Sequence, residues 1–163
     1  MSRLVATFFY SGLLRPAPGT WGSLAALLAA WLIYVVGGPW LVLLALGIVL
    51  LAGWPAAKAE REASGAEDPG HIVIDEVAGQ WVALLPVLIG AAHVGAPVLS
   101  LWPGWIAAFV LFRLFDIWKP GPVGWADRRG DVTGLMLDDL IAGAMAAVCV
   151  VILAVLYHGV MLA

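Results

Sequence analysis

Long apolar runs alternate along this chain with short stretches that hold nearly all of its polar residues. Five apolar segments stand out, at 20–36, 40–54, 77–92, 105–118 and 140–162. Gly37-Gly38-Pro39 separates the first from the second, and Gly95-Ala96-Pro97 and Trp102-Pro103-Gly104 lie between the third and fourth. Only the last segment reaches the about 20 residues of a comfortable membrane helix; roughly 15 residues make about 22 Å of helix against a hydrocarbon core of about 30 Å. The shorter ones must extend into their flanks, thin the bilayer or stop short of crossing. The pattern predicts an all-α integral membrane protein, one domain over 1–163, built as a compact bundle of about five short transmembrane helices.

Two flanking stretches add detail. Residues 4–14 are apolar but interrupted by Thr7, Ser11 and Gly12 and stopped by Arg15-Pro16. With no small-residue cleavage site behind them, they are expected to form a short interfacial or re-entrant segment, not a signal peptide. Residues 55–64 are polar and helix-forming, so they should prolong the second helix, with Pro55 at a first turn or a kink. Gly22, Ala26 and Ala30, and likewise Gly143 and Ala147, recur every four residues, a spacing that lets helix backbones approach in lipid.

Composition turns the membrane reading from a pattern into a requirement. The chain is 63% hydrophobic and 12% charged with a mean hydropathy of +1.00, whereas soluble domains carry roughly 25% charged residues. Disorder demands low hydrophobicity and is excluded. A net charge of -3 excludes a generic nucleic-acid binder. The one cysteine, Cys149, lies in the last apolar run, so neither an intrachain disulfide nor a cysteine metal site can form. Nothing indicates a homo-oligomer.

The charges are confined to three regions: Arg3 and Arg15, residues 58–76, and residues 113–139. If segments one and two form one hairpin and three and four another, all three regions share a face, and every Lys and Arg lies on it. That partition predicts a cytoplasmic charged face. Trp40, Trp54, Trp102, Trp105 and Trp118 fall at segment ends, where an aromatic belt would put them.

Four polar clusters are candidates for chemistry. Arg15-Pro-Ala-Pro-Gly19-Thr20-Trp-Gly22-Ser23 combines free helix-start N–H groups, glycines, hydroxyls and an Arg, as a phosphate cradle would; the plainer reading is that Thr20 or Ser23 caps the helix. Asp75 and Glu76 open the third apolar segment, where the helix dipole accounts for one acid more readily than for two. Arg113, Asp116 and Lys119 recur every three residues on one helical stripe ended by Pro120, either as an intrahelical ion pair or as a wet, functional face. Asp138-Asp139 at the entrance to the last helix repeats the acid pair, whereas Asp127 and Arg128 would by themselves be an ordinary loop. His71 reads as a turn residue.

Five carboxylates that converge would repel one another unless a divalent cation intervened, and hard oxygen ligands without cysteine suggest magnesium. Magnesium beside Arg and Lys at headgroup level equips a site for phosphoryl chemistry on a lipid. Such equipment suits a membrane phosphatase or phosphotransferase and does not name the lipid.

The strings PGTWGSLAAL, HIVIDEVAGQW, FRLFDIWKPGPVGWADRR and GLMLDDLIAG, in this order over nearly the whole chain, resemble the bacterial phosphatidylglycerophosphatase A family. The resemblance implies a magnesium-dependent inner-membrane enzyme that converts phosphatidylglycerophosphate to phosphatidylglycerol. By motif, it implies catalytic roles for Asp75, Glu76, Asp116, Asp127, Asp138 and Asp139, all but Asp127 also metal ligands. Arg15, Thr20, Ser23, Arg113, Lys119 and Arg128 would bind the phospholipid substrate. One departure is the loop Gly130-Asp131-Val132-Thr133-Gly134, which is richer in glycine in the family. The alternatives are a CDP-alcohol-type phosphotransferase, whose spaced acid motif is not found here, and a small ion or proton transporter subunit. Transport requires polar groups through the full depth, and 83–92 and 142–156 carry no charged residue.

Overall fold

The computed structural model describes residues 1–66 and 69–161, with side chains as far as residue 157. Asp68, and Leu162 at the end of the last apolar segment, lie outside the described residues. Helices α1 (Ser2–Ala6), α2 (Pro18–Ser64), α3 (Ile74–Val94), α4 (Trp102–Trp118), α5 (Pro122–Asp127) and α6 (Val132–Met161) are joined by turns, with 3-10 turns at Ser11–Leu13 and Val98–Leu101. Pro18–Ser64, Ile74–Val94, Val98–Trp118 and Val132–Tyr157 are each long and apolar enough to cross a membrane.

The longest of these, α2, is two helices. Gly37 (φ -147°, ψ 18°) and Gly38 (φ 66°, ψ -164°) leave the helical region, and only glycine adopts the second conformation readily. An unbroken helix would carry Gly22 and Gly53 about 46 Å apart. Instead, a Cβ on Gly22 would lie 2.7 Å from Val73 and one on Gly53 would lie 2.8 Å from the adjacent Ile74. The chain therefore reverses at Gly37-Gly38, and Pro39 restarts the helix with its fixed φ. The arms 18–36 and 39–64 correspond to the first two predicted segments, and the second does continue through Pro55 to Ser64.

The helices also extend beyond the apolar segments. The first begins at Pro18, and neither Thr20 nor Ser23 caps it: the cap position is Ala17, without a side-chain bond. The last begins at Val132 because Asp131 Oδ1 accepts the Gly134 N–H at 2.6 Å, an N-terminal cap. Asp138 and Asp139 consequently lie two turns inside α6, not at its entrance.

Helix α3 is the centre of the bundle, packed against α2, α4 and α6 with Val77, Ala78, Trp81, Ala83, Leu84, Leu88 and Ala91 buried. The outer helices expose Leu28, Leu32, Val35, Ile106, Val110, Val151 and Ile152. Since lipid is as apolar as these side chains, helix contacts rest on close fit and hydrogen bonds. Ala26 and Ala30 are fully buried, and Trp81 Nε1 donates to the Ala26 carbonyl at 2.8 Å. Trp105 departs from the belt: it is buried and donates to the Val98 carbonyl at 3.1 Å, because the turn before α4 folds back over it.

The three charged regions meet at one end of the bundle. Arg3 lies 3.8 Å from Glu60, Arg61 donates to the Gly130 carbonyl at 2.6 Å, and Arg113 lies 3.9 Å from Glu76. The N-terminal segment is pinned there by the Val73 N–H donating to the Ala6 carbonyl at 2.9 Å.

Candidate active site

Asp75 and Glu76 stand in the first turn of α3, and Asp139 faces them from α6. One carboxylate oxygen of each lies within 4.8 Å of the others. The approach depends on glycine. A Cβ on Gly79 would come 2.5 Å from both the Asp139 carbonyl oxygen and the Phe112 ring, and one on Gly143 would lie 2.9 Å from the Gly79 carbonyl carbon. The α3 and α6 backbones touch one turn from the acids. In each pair the first acid accepts the N–H of the second, Asp75 from Glu76 and Asp138 from Asp139, both at 3.0 Å.

The other predicted acids stand around this cluster, each drawn toward a cation. Asp116 Oδ2 is 2.5 Å from Arg113 Nη1 and close enough to act electrostatically on Glu76 and Asp139. Asp138 lies 3.0 Å from Lys119 Nζ, which also pairs with Asp127. Lys119 is not on the Arg113–Asp116 stripe as its spacing predicts. Pro120 disfavours helix at the residue before it, and Lys119 takes a left-handed conformation (φ 50°) that turns its side chain toward α5 and α6.

The glycine turn lies directly on the acids. A Cβ on Gly19 would collide with Glu76 Oε1 and come 3.0 and 3.1 Å from the Arg113 guanidinium nitrogens. The first intrahelical bond of α2 is made by Trp21 N–H to Ala17 at 3.1 Å, so the N–H groups of Gly19 and Thr20 precede it at the positive end of the helix dipole. Buried Ser23 donates to the Gly19 carbonyl at 2.8 Å, and Thr20 is half-buried. Arg15 and Arg128 are exposed and make no ion pair among the described residues.

Lys119 is the group outside the spanning helices whose charge the surroundings determine most strongly. Burial pulls its ammonium down, but hydrogen bonds to Asp127 and Asp138 outweigh that and hold it well above the ordinary lysine range. A raised folded value means the lysine's contribution is complete below about pH 10.4 for as long as its partners are ionised, and is lost on the alkaline side only as pH rises through the folded value. Stability should therefore not vary through this group between pH 7 and 9. Lys119→Met should destabilise by about 1–3 kcal/mol. That is less than the about 3–5 for a fully buried broken pair, because the lysine side chain is 35% exposed while Asp138 is 5% exposed. Thermal unfolding in detergent at pH 7 and pH 9 measures both statements.

Gln80 escaped the sequence reading. It lies four residues after Glu76 on α3, is fully buried, and neither its amide nitrogen nor its oxygen has a hydrogen-bond partner among the described residues. Glu76 Oε2 and Arg113 Nε are also buried without a hydrogen bond among the described residues. The available signal was a lone Gln inside an apolar span, where a polar side chain is costly. An orphaned buried amide costs about 1–3 kcal/mol, so Gln80→Met should raise the thermal midpoint by about 2–10 °C. A lowered midpoint would mean that the amide is satisfied in the folded protein.

Comparison with known proteins places the chain in a family. A sequence profile of the phosphatidylglycerophosphatase A family matches residues 4–154. Phosphatidylglycerophosphatase A of Haemophilus influenzae is 36% identical over 148 residues, covering 90% of this chain and 85% of its own. The protein of the same name from Escherichia coli is 37% identical over 148 residues, 88% of this chain and 78% of its own. A Bacteroides thetaiotaomicron relative, provisionally named a phosphatidylinositol-3-phosphatase, is 36% identical over 156 residues and 91% of both chains. No solved structure matches the chain. The profile spans the PGT turn, both acid pairs and the Arg113–Lys119 stretch that meet at one end of the bundle, and the chain belongs to the phosphatidylglycerophosphatase A family.

Proposed function

We propose that this protein is a magnesium-dependent lipid phosphomonoesterase of the bacterial inner membrane. It would remove the terminal phosphate of phosphatidylglycerophosphate at the cytoplasmic face, leaving phosphatidylglycerol. The observation that carries this reading is the convergence of Asp75, Glu76 and Asp139 beneath the Gly19 turn, with Arg113 and Lys119 alongside.

The donor set fits a divalent cation. Three carboxylate oxygens lie within 4.8 Å of one another, all are hard ligands, and the second Glu76 oxygen is buried without a hydrogen-bond partner among the described residues. Asp75, Glu76 and Asp139 would hold the ion, with Asp116 and Asp138 at its margin once released from Arg113 and Lys119. Bound there, magnesium supplies charge neutralisation at phosphate oxygens and acidifies a coordinated water.

The remaining chemistry is assigned to the chain's own groups. The Gly19 and Thr20 N–H groups and the Arg113 guanidinium face a phosphate placed over the acids and stabilise the charge of an in-line displacement. Lys119, charged across the physiological range, serves as a fixed positive charge and not as a proton donor. In the net reaction water adds to phosphorus, the bond from phosphorus to the glycerol oxygen breaks, and that oxygen takes a proton. The concentration of every Lys and Arg at one end supports a cytoplasmic orientation for the site.

Purified protein in detergent should release phosphate from phosphatidylglycerophosphate only when a divalent cation is added, and faster than from phosphatidylinositol 3-phosphate. Release that survives thorough chelation overturns the metal assignment; the opposite substrate order overturns the choice of lipid. Ion flux in liposomes without phosphate release would replace the reading with transport.

A further inference from the structure

A second concavity, with three basic side chains in its wall, lies beside the glycine turn. It has a volume of about 490 Å³ and is lined by Arg3, Arg15 and His71 together with Gly12, Pro18 and Gly70. Its wall is fixed from several directions. His71 Nε2 is 3.0 Å from Glu60 Oε1, a carboxylate 11% exposed, and Arg3 Nε lies 3.8 Å from the same oxygen. Gly12 packs so closely on the 71–73 strand of chain that a Cβ there would come 2.9 Å from Val73. Two guanidinium groups thus face the cavity against one carboxylate, which the mostly exposed Arg3 side chain shares with His71, and Arg15 makes no ion pair among the described residues.

Its position is as telling as its charge. Pro18 lines the cavity, while the next residue, Gly19, touches Glu76 and Arg113. Consecutive Cα atoms are about 3.8 Å apart, so the cavity and the carboxylate cluster are reached from adjacent residues of the chain. Phe9, Tyr10, Leu13 and Leu14 beside it are exposed apolar residues, as expected of a segment at the headgroup level of a bilayer.

We propose that this cavity is the subsite for a second phosphate of the lipid substrate, the phosphodiester that links its glycerol headgroup to the diacylglycerol, with Arg3 and Arg15 as its cationic ligands. This rests on the function proposed above and deepens it. A lipid with two phosphates joined by one glycerol would place its terminal monoester over Asp75, Glu76 and Asp139 and its diester between the arginines. His71 narrows the cavity from the Glu60 side and need carry no charge for this. A lipid monoester without the diester, such as phosphatidic acid, would occupy only the carboxylate side. The cavity would thereby set the enzyme's preference among lipid phosphomonoesters.

The test compares phosphatidylglycerophosphate with phosphatidic acid in mixed micelles of fixed neutral detergent. Wild type must first hydrolyse phosphatidylglycerophosphate; if it does not, the proposed function fails and the subsite is not the cause. Given that activity, Arg3→Gln/Arg15→Gln should raise KM for phosphatidylglycerophosphate at least about 10-fold with little change in kcat. Each charge-assisted phosphate contact is strong enough for a change of that order. The ratio of kcat/KM for the two lipids should fall by the same factor, and Arg3→Lys/Arg15→Lys should restore most of it. Unchanged KM overturns the proposal. So does an equal loss on both lipids, which would mean that the arginines attract anionic surfaces in general, and so does a fall confined to kcat. A thermal midpoint within about 2 °C of wild type separates these outcomes from misfolding, as expected for surface substitutions.

Discussion

Asp139→Asn is expected to lower metal-dependent phosphate release at least about 1,000-fold while leaving the ion-free protein as stable as wild type or more so. The two effects have one origin. Asp139 contributes the only carboxylate from α6 to a group whose other two members come from α3, so without it the site has donors from one helix alone. Charges about 4.8 Å apart repel by about 3 kcal/mol per ionised pair at an effective dielectric of 20. Asparagine keeps the shape and removes that repulsion. A ligand at about 100 times its Kd stabilises a fold by about 2.7 kcal/mol, which for a chain of this size raises the midpoint by about 5–11 °C. Wild type should show that magnesium-induced rise and the variant should lack it, a readout independent of turnover. Asp75→Asn should behave the same way. Asp138→Asn should have a smaller effect, because Asp138 is held by Lys119 at 3.0 Å and is not one of the three carboxylates that lie within 4.8 Å of one another. If Asp139→Asn keeps both the midpoint rise and full activity, the three-carboxylate site does not hold the ion.

How far the sequence foretold this site depends on the range of the interactions involved. Confinement of charge is a global property, since lipid penalises every misplaced ion. The meeting of Arg3 with Glu60, Arg61 with Gly130 and Glu76 with Arg113 could therefore be anticipated from placement along the chain alone. The reversal at Gly37-Gly38 was legible for a local reason: two glycines before a proline break a helix in any context. The path of Lys119 was less so. Its spacing from Arg113 and Asp116 is helical, and the left-handed turn at φ 50° follows from the competition between Pro120 and the pull of Asp127 and Asp138, which are distant in sequence. The depth of Asp138 and Asp139 inside α6 was hidden by a cap, since Asp131 looks like any loop acid until the Gly134 N–H is found on it. Gln80 was hidden for the opposite reason: it sits inside the HIVIDEVAGQW motif one turn after Glu76, yet periodicity cannot distinguish a polar residue that belongs to a site from one that is tolerated.

The contact that the sequence concealed most completely also supports the second large prediction. Gly143→Val should cost several kcal/mol of stability and at least about 100-fold in activity, whereas Gly47→Val should cost little. Gly143 was legible as a small residue in an apolar helix, but its partner was not: Gly79 and Ala83 on α3 share the four-residue spacing of Gly143 and Ala147, yet spacing alone does not say which two helices meet. In the fold the two glycines face each other, and a Cβ on Gly143 would lie 3.0 Å from the Gly79 Cα and collide with the Gly79 carbonyl oxygen. Both obstacles are backbone, so no rotamer relieves them and one helix must move. Overpacking of this kind costs about 1–3 kcal/mol or more, and lipid offers no compensating apolar burial. The functional loss follows from position. Gly143 is one turn beyond Asp139 on α6 and Gly79 one turn beyond Asp75 on α3, so any separation of the helices widens the gap between carboxylates that must share one ion. A displacement of about 1 Å in a positioned site costs about 100-fold. A Cβ on Gly47 would meet nothing within 4 Å, and the backbone there is helical, so the same substitution at that position reports only helix propensity and serves as the control. Magnesium titration of the Gly143→Val midpoint separates the two consequences: a variant that folds at lower temperature yet gains the full wild-type rise with the ion would show that the carboxylates still meet, and that the glycine contact governs stability alone.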